Sequence, residues 1–218
     1  MKNKYIFIAI ILIIVAGIGL YIRNDLSKLT PITIENNDLS SGDSNKDFDK
    51  QINNEDLGQI NDKMPDIDRE FHFDDNLPSD VKEIYLSKIN SIIEDIRKSS
   101  DFIDNWLVLG VYLKAIGDYS GAEEMWQYAG VLRPLNSTSF ANLGNLYTYE
   151  LKDYVKAEAN FKKALSNDPN KVYIYTNFFE LYKYGTKDMA KAKAVLEEGI
   201  AANPDTSDDL QSLLSNNF

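Results

Sequence analysis

Residues 140–169 read FANLGNLYTYELKDYVKAEANFKKALSNDP. Phe140, Leu143, Gly144 and Tyr147 recur at steps of three and four, which places them on one face of a helix, and Ala157, Phe161 and Ala164 repeat the pattern further on. Glycine and alanine set opposite bulky residues let two such helices approach closely, and Pro169 prevents the second from continuing. The stretch is therefore a helical hairpin, and it has neighbours built the same way. Pro134, Pro169 and Pro204 stand 35 residues apart, as do Ala122, Ala157 and Ala192, then Trp126, Phe161 and Leu196, then Ala129, Ala164 and Gly199. In the first half of each unit Trp106-x-x-Leu109-Gly110, Phe140-x-x-Leu143-Gly144 and Tyr175-x-x-Phe178-Phe179 correspond, followed by Leu113, Tyr147 and Tyr182. A fixed period of this length is the mark of a stacked solenoid.

These motifs resemble the tetratricopeptide family, whose unit runs Trp-x-x-Leu-Gly-x-x-Tyr, then Ala-x-x-x-Phe-x-x-Ala, then Pro. The first two units match it strongly. The resemblance implies an all-α fold, a right-handed superhelical stack of helix-turn-helix hairpins, with units at 103–136, 137–170 and 171–205. Helices are expected near 103–116, 119–133, 137–150, 154–167, 171–184 and 188–202. In the second and third units the gap from the glycine position to the first alanine is 13 rather than 12, which predicts one extra residue in the turn between helices. The third unit has Phe179 in place of glycine and Gly199 in place of alanine, and its helices are expected to pack less closely.

A further apolar period, Val81, Ile84, Tyr85, Ile89, Ile92, Ile93 and Ile96, predicts a capping helix from Ser79 to about Lys98, started by Ser79 and Asp80. With its following loop it fills 79–102. At the other end, 206–218, Ser207 starts a short helix carrying Leu210, Leu213 and Leu214. Both cover the open faces of the stack, as terminal elements of a solenoid must.

Upstream, Tyr5 to Ile22 are eighteen uncharged residues in succession, about 27 Å of helix and close to the thickness of a bilayer core. Residues 1–23 therefore read as a transmembrane anchor, a better fit than a cleaved signal peptide because no Ala-x-Ala site follows the apolar run. Lys2 and Lys4 precede it and Arg23 and Lys28 follow, a mild bias toward a cytoplasmic N-terminus with the repeats outside. Residues 24–78 read as an acidic disordered linker. From 24 to 80 the chain carries five basic residues against fifteen acids, which accounts for most of the net charge of −11. Such a tether spans about 40 Å if flexible. Its first reading is a solvated spacer; the alternative is that Phe71, Phe73 and Leu77 form a short linear motif for a partner or for the helical domain itself.

The acidic balance and the lack of a basic run argue against a nucleic-acid partner. Cysteine is absent, which excludes disulfides, thiolate metal sites and a cysteine nucleophile. The lone His72 lies in the acidic segment, and nucleophile, phosphate and metal motifs are missing, so neither cofactor nor metal is expected and the chain does not read as an enzyme. Glu123 and Glu124 are no acid and base pair, since adjacent helical residues point about 100° apart.

The resemblance further implies a concave groove lined by the first helix of each pair, holding an extended or helical peptide. Carried over, its candidates are Asp104, Leu107, Val111 and Lys114 in the first unit, Asn142, Asn145 and Tyr149 in the second, and Asn177, Glu180 and Tyr184 in the third. Asn offers a peptide backbone both a donor and an acceptor, and Tyr an apolar plate with a polar tip. Leu107 and Val111 occupy two positions of the basic clamp with which chaperone-tail receptors of the family hold a carboxylate, so that clamp is not expected. The reading is a membrane-anchored scaffold that binds a protein or peptide partner, most naturally at a bacterial envelope. The alternatives are a self-associating envelope protein forming a homo-oligomer, and a secreted repeat protein after signal cleavage.

Overall fold

The computed structural model describes residues 63–218. The expected anchor, 1–23, and the linker as far as residue 62 lie outside the described residues. Among those described, no helix is long and apolar enough to cross a membrane.

Among the described residues there are eight α-helices and no strand. Helix α1 (Ser79–Lys98) precedes three hairpins, α2 (Ile103–Ala115) with α3 (Tyr119–Leu132), α4 (Ser137–Leu146) with α5 (Tyr154–Asn167), and α6 (Val172–Glu180) with α7 (Met189–Ala202). Helix α8 (Asp208–Asn217) closes the stack against α7 and α6. Each hairpin follows from the apolar face read above. Trp106, Leu109 and Leu113 are buried with Ala122, Met125, Trp126 and Ala129, and Phe140, Leu143 and Tyr147 with Ala157, Phe161 and Ala164. A Cβ on Gly110 would lie 2.4 Å from Nε1 of Trp126, and one on Gly144 would lie 2.7 Å from the Phe161 ring, so these positions admit no side chain while the rings stay in place.

The third hairpin is arranged differently. Phe179 fills the glycine position and is buried, while Gly199 on α7 makes room for different neighbours: a Cβ there would lie 2.7 Å from Cγ of Tyr175 and 2.7 Å from Cδ1 of Leu210.

The extra residue of the second and third units also differs from expectation. It enters the end of the first helix as a π-helical turn, Tyr147–Leu151 after α4 and Leu181–Thr186 after α6. A widened last turn accommodates an inserted residue without breaking the helix. Each π turn ends in a left-handed residue, Lys152 (φ 56°) and Lys187 (φ 58°), at the place where the first unit has Gly117 (φ 90°). A left-handed non-glycine residue costs roughly 1 kcal/mol, offset in part by the chain entropy that glycine loses. Lys187→Gly is therefore expected to raise stability by about 0.5 kcal/mol, read from the urea midpoint, whereas Gly117→Ala lowers it.

Caps repeat with the same period. Asp118, Asp153 and Asp188 accept hydrogen bonds from the backbone N–H of Gly121, Lys156 and Lys191, starting α3, α5 and α7. Asn136 does the same for α4 through Ser139. The expected caps at the ends of the stack are corrected. Pro78 occupies the N-cap of α1, Ser79 and Asp80 already lie in its first turn, and no side chain caps it. Ser207 precedes α8, but its hydroxyl accepts from the Gln211 side chain instead of the helix backbone.

Neighbouring units are joined by a repeated polar link. The Tyr147 hydroxyl donates to Glu123 at 2.5 Å, and Tyr182, 35 residues on, donates to Glu158. Burial, reinforced by the carboxylate, pushes both phenols far above their usual range, so each stays protonated as the donor. Lys156 and Lys191 stand over the two rings at 5.1 Å and 5.2 Å. Glu158 also meets Lys162 and Lys191 at 2.8 Å and 3.2 Å; burial pushes its carboxyl up, but the two ammonium groups outweigh burial and hold it below the usual range.

Residues 63–78, expected within the linker, pack on the first hairpin as an irregular strap with turns at 67–68 and 75–76. Ile67 is buried, and Phe71, Phe73 and Leu77 pack against the core. Arg69 reaches Asp118 at 2.7 Å, and the Asp74 N–H donates to the Ile116 carbonyl at 2.7 Å. The expected solvated spacer is thus corrected for 63–78, where the helical domain itself holds the apolar residues that such a spacer would leave in water.

Candidate functional site

Helices α2, α4, α6 and α8 contact one another in succession, whereas α3, α5 and α7 make no comparable contacts among themselves. Rows of helices that touch on one side and spread on the other must curve, so the first helices line the inside of the bend.

On this face a cleft of about 440 Å³ opens between α2 and α4, lined by Val111, Lys114, Ala115, Trp126, Asn142, Asn145 and Glu150. Four of the expected groove residues meet here: Val111, Lys114, Asn142 and Asn145. Val111, Ala115 and Trp126 supply its apolar surface, and Trp126 is held by its Nε1 donating to the Leu107 carbonyl at 3.0 Å. Lys114 and Glu150 form an ion pair at 3.5 Å that joins α2 to the π turn after α4. Tyr119 also bonds to Glu150, and burial first, then that carboxylate, raises its phenol. The Oδ1 of Asn145 is buried without a hydrogen-bond partner among the described residues. Such a deficit costs about 1–3 kcal/mol.

A second group of expected residues gathers one step along the bend. The Tyr149 hydroxyl, in the π turn after α4, donates to Glu180 at the end of α6, and Tyr184 lies close enough to act on Tyr149 electrostatically. Burial and then the Glu180 bond push the Tyr149 phenol well above its usual range. Tyr149 and Tyr184 are 37 % and 60 % exposed, so both rings offer a face to a ligand. Lys183 stands over the Tyr184 ring at 4.8 Å, but its ammonium donates to Asn217 of α8 at 2.6 Å.

The remaining expected residues do not line the cleft. Asp104 lies in the first turn of α2, where its charge offsets the helix dipole. Leu107 packs partly buried against the core, and Asn177 is half-buried on α6. Sequence reading missed Trp126, Ala115 and Glu150. Trp126 sits at a core position of the repeat, and only its pairing with Gly110 hints that an indole edge reaches through to the other side. No group of His, Cys, Asp and Glu able to hold a metal occurs among the described residues.

No curated protein matches this chain. Residues 149–216, from the π turn after α4 through the third hairpin to α8, match a family model described as Tetratricopeptide repeat.

Proposed function

We propose that this chain is a non-catalytic, membrane-anchored binding protein whose curved helical face holds a segment of a partner protein. Tetratricopeptide repeats in general mediate protein–protein interaction. The observation that carries the reading is the cleft of about 440 Å³ between α2 and α4, which combines an apolar surface with the side chains of Asn142 and Asn145. Apolar walls with a few convergent polar groups are what a peptide side chain and its backbone require. The eighteen uncharged residues at Tyr5–Ile22 support a single-pass anchor, with the N-terminus inside and the repeats outside the cell membrane, where the protein acts as a scaffold.

A photocrosslinking residue in place of Asn142, in the full chain in cells, is expected to join one defined segment of a partner. The same probe at Glu197, on the exposed outer side of α7, is expected to join none. Equal labelling from both positions, or capture only of a second copy of this chain, would replace this reading with non-specific contact or self-association. Alkaline extraction tests the anchor: the full chain should stay with the membrane, and a chain lacking 1–23 should not.

A further inference from the structure

We propose that the partner segment is cationic and extended, with an apolar side chain in the Trp126 cleft and an Arg or Lys seated at Glu180 between Tyr149 and Tyr184. This inference rests on the groove-binding reading and adds the chemistry of the occupant.

The argument starts from which carboxylates are already neutralised. Among the described residues, Glu150 is paired with Lys114, Glu158 with Lys162 and Lys191, Glu94 with Arg97, and Glu197 with Lys193. Glu180 has only the Tyr149 hydroxyl and makes no ion pair; Glu123 and Glu198 also make none, but they lie on α3 and α7, away from the inner row of helices. The nearest cation along the chain, Lys183, lies over one face of the Tyr184 ring and donates to Asn217 without pairing with Glu180, so an incoming cation would use the Tyr149 ring and the other face of Tyr184. A half-buried carboxylate on the inner face, flanked by two exposed phenol rings, suits a guanidinium or ammonium group in two ways. The carboxylate supplies the counter-charge, and the ring faces supply the attraction of aromatic quadrupoles for cations. The phenol that now donates to Glu180 leaves the second carboxylate oxygen available to accept.

Spacing then relates the two seats. Adjacent packed helices lie about 8–10 Å apart, and an extended chain advances about 3.3 Å per residue. A segment crossing from the α2–α4 cleft to the α4–α6 seat thus places its cation about three residues from its apolar anchor. The same charge logic works against the chain's own linker as occupant, because 24–80 carries fifteen acids and five bases.

The test is selection of a random dodecapeptide library on the detergent-solubilised full chain, with affinities of the enriched peptides measured against variants. Enriched sequences are expected to carry Arg or Lys about three positions from an apolar residue, and Glu180→Gln is expected to weaken them about tenfold. Glu180→Gln keeps an acceptor for Tyr149, so an unchanged melting curve accompanies the loss. Tyr184→Ala, at a position 60 % exposed, should weaken the same peptides without unfolding the chain. Enriched peptides that lack a cation, or that bind Glu180→Gln as well as the parent, overturn this inference and leave groove binding intact. Peptides that ignore Val111→Glu, or a selection that enriches nothing, overturn both.

Discussion

Phe161→Ala is expected to cost the helical domain about 4 kcal/mol, the range in which a fully buried aromatic truncated to alanine falls. The ring is fully buried on α5 and lies 2.7 Å from where a Gly144 Cβ would be, so it fills the space that the glycine opens. On its other side it meets Phe178 of the third hairpin at 5.4 Å between centroids, and Phe178 stacks on Tyr182 at 4.7 Å. One side chain therefore closes its own hairpin and couples it to the next. The hole left by alanine cannot collapse, because Gly144 has no side chain to move into it. A solenoid's stability is a sum of unit and nearest-neighbour terms, so the damage should be local before it is global. Amide exchange in α6 and α7 should rise well before that in α2 and α3. Phe161→Leu, which keeps most of the volume, should cost about 1.5 kcal/mol. A loss below 1 kcal/mol for the alanine variant, or exchange that rises uniformly along the stack, would contradict this account of the coupling.

That coupling explains how much of the fold the sequence discloses. Periodicity is a local signal repeated, and its apolar and small positions were legible, namely the six hairpin helices, Gly110 and Gly144, and the alanines at 122, 157 and 192, whereas the caps at Asp118, Asp153 and Asp188 keep the same period without an apolar signal to mark them. The departures are features in which one unit differs from the next. Phe179 and Gly199 read as two mismatches to the motif, and only the folded chain shows that Gly199 makes room for Tyr175 and Leu210. The extra residue is visible as a longer gap, but whether it widens the helix or lengthens the turn depends on how the flanking faces must align. The candidate site divides in the same way. Val111, Lys114, Asn142 and Asn145 lie on inward faces that the repeat predicts, whereas Trp126 reaches the cleft from α3 by passing over Gly110. The strap at 63–78 left no periodic trace, since an irregular segment held by a few anchors needs only Ile67, Phe71, Phe73 and Leu77 at irregular intervals.

Loss of the strap's polar anchor has the second largest expected effect: Arg69→Ala should destabilise the first hairpin by about 2 kcal/mol. Asp118 is 1 % exposed and already serves two backbone groups, the Gly121 N–H at 3.0 Å as cap of α3 and the His72 N–H at 3.3 Å. Without Arg69 its buried charge keeps those dipoles but loses its cation. The figure is held below that of a fully buried pair because the Arg69 side chain is 25 % exposed. The repeat itself shows that the socket is made for this residue. At the position of Gly121 the next two units have Lys156 and Lys191, whereas a Cβ on Gly121 would lie 1.8 Å from Nη2 of Arg69. The first unit has given up its own lysine so that a guanidinium from 49 residues away in sequence can enter. Gly121→Ala should accordingly displace Arg69 and reproduce much of the Arg69→Ala loss, although it deletes no charge. Arg69→Met combined with Asp118→Asn should recover part of it, since the asparagine still caps α3 and no unpaired charge remains. Proteolysis at 63–78 and exchange of the Asp74 amide, which bonds to Ile116, report strap release directly. If Arg69→Ala leaves both unchanged, apolar packing alone holds the strap and the ion pair contributes nothing. If both rise while α4 to α8 stay protected, the segment that joins the linker to the repeats is a folded part of the solenoid, seated by one charge in a socket that a single glycine keeps open.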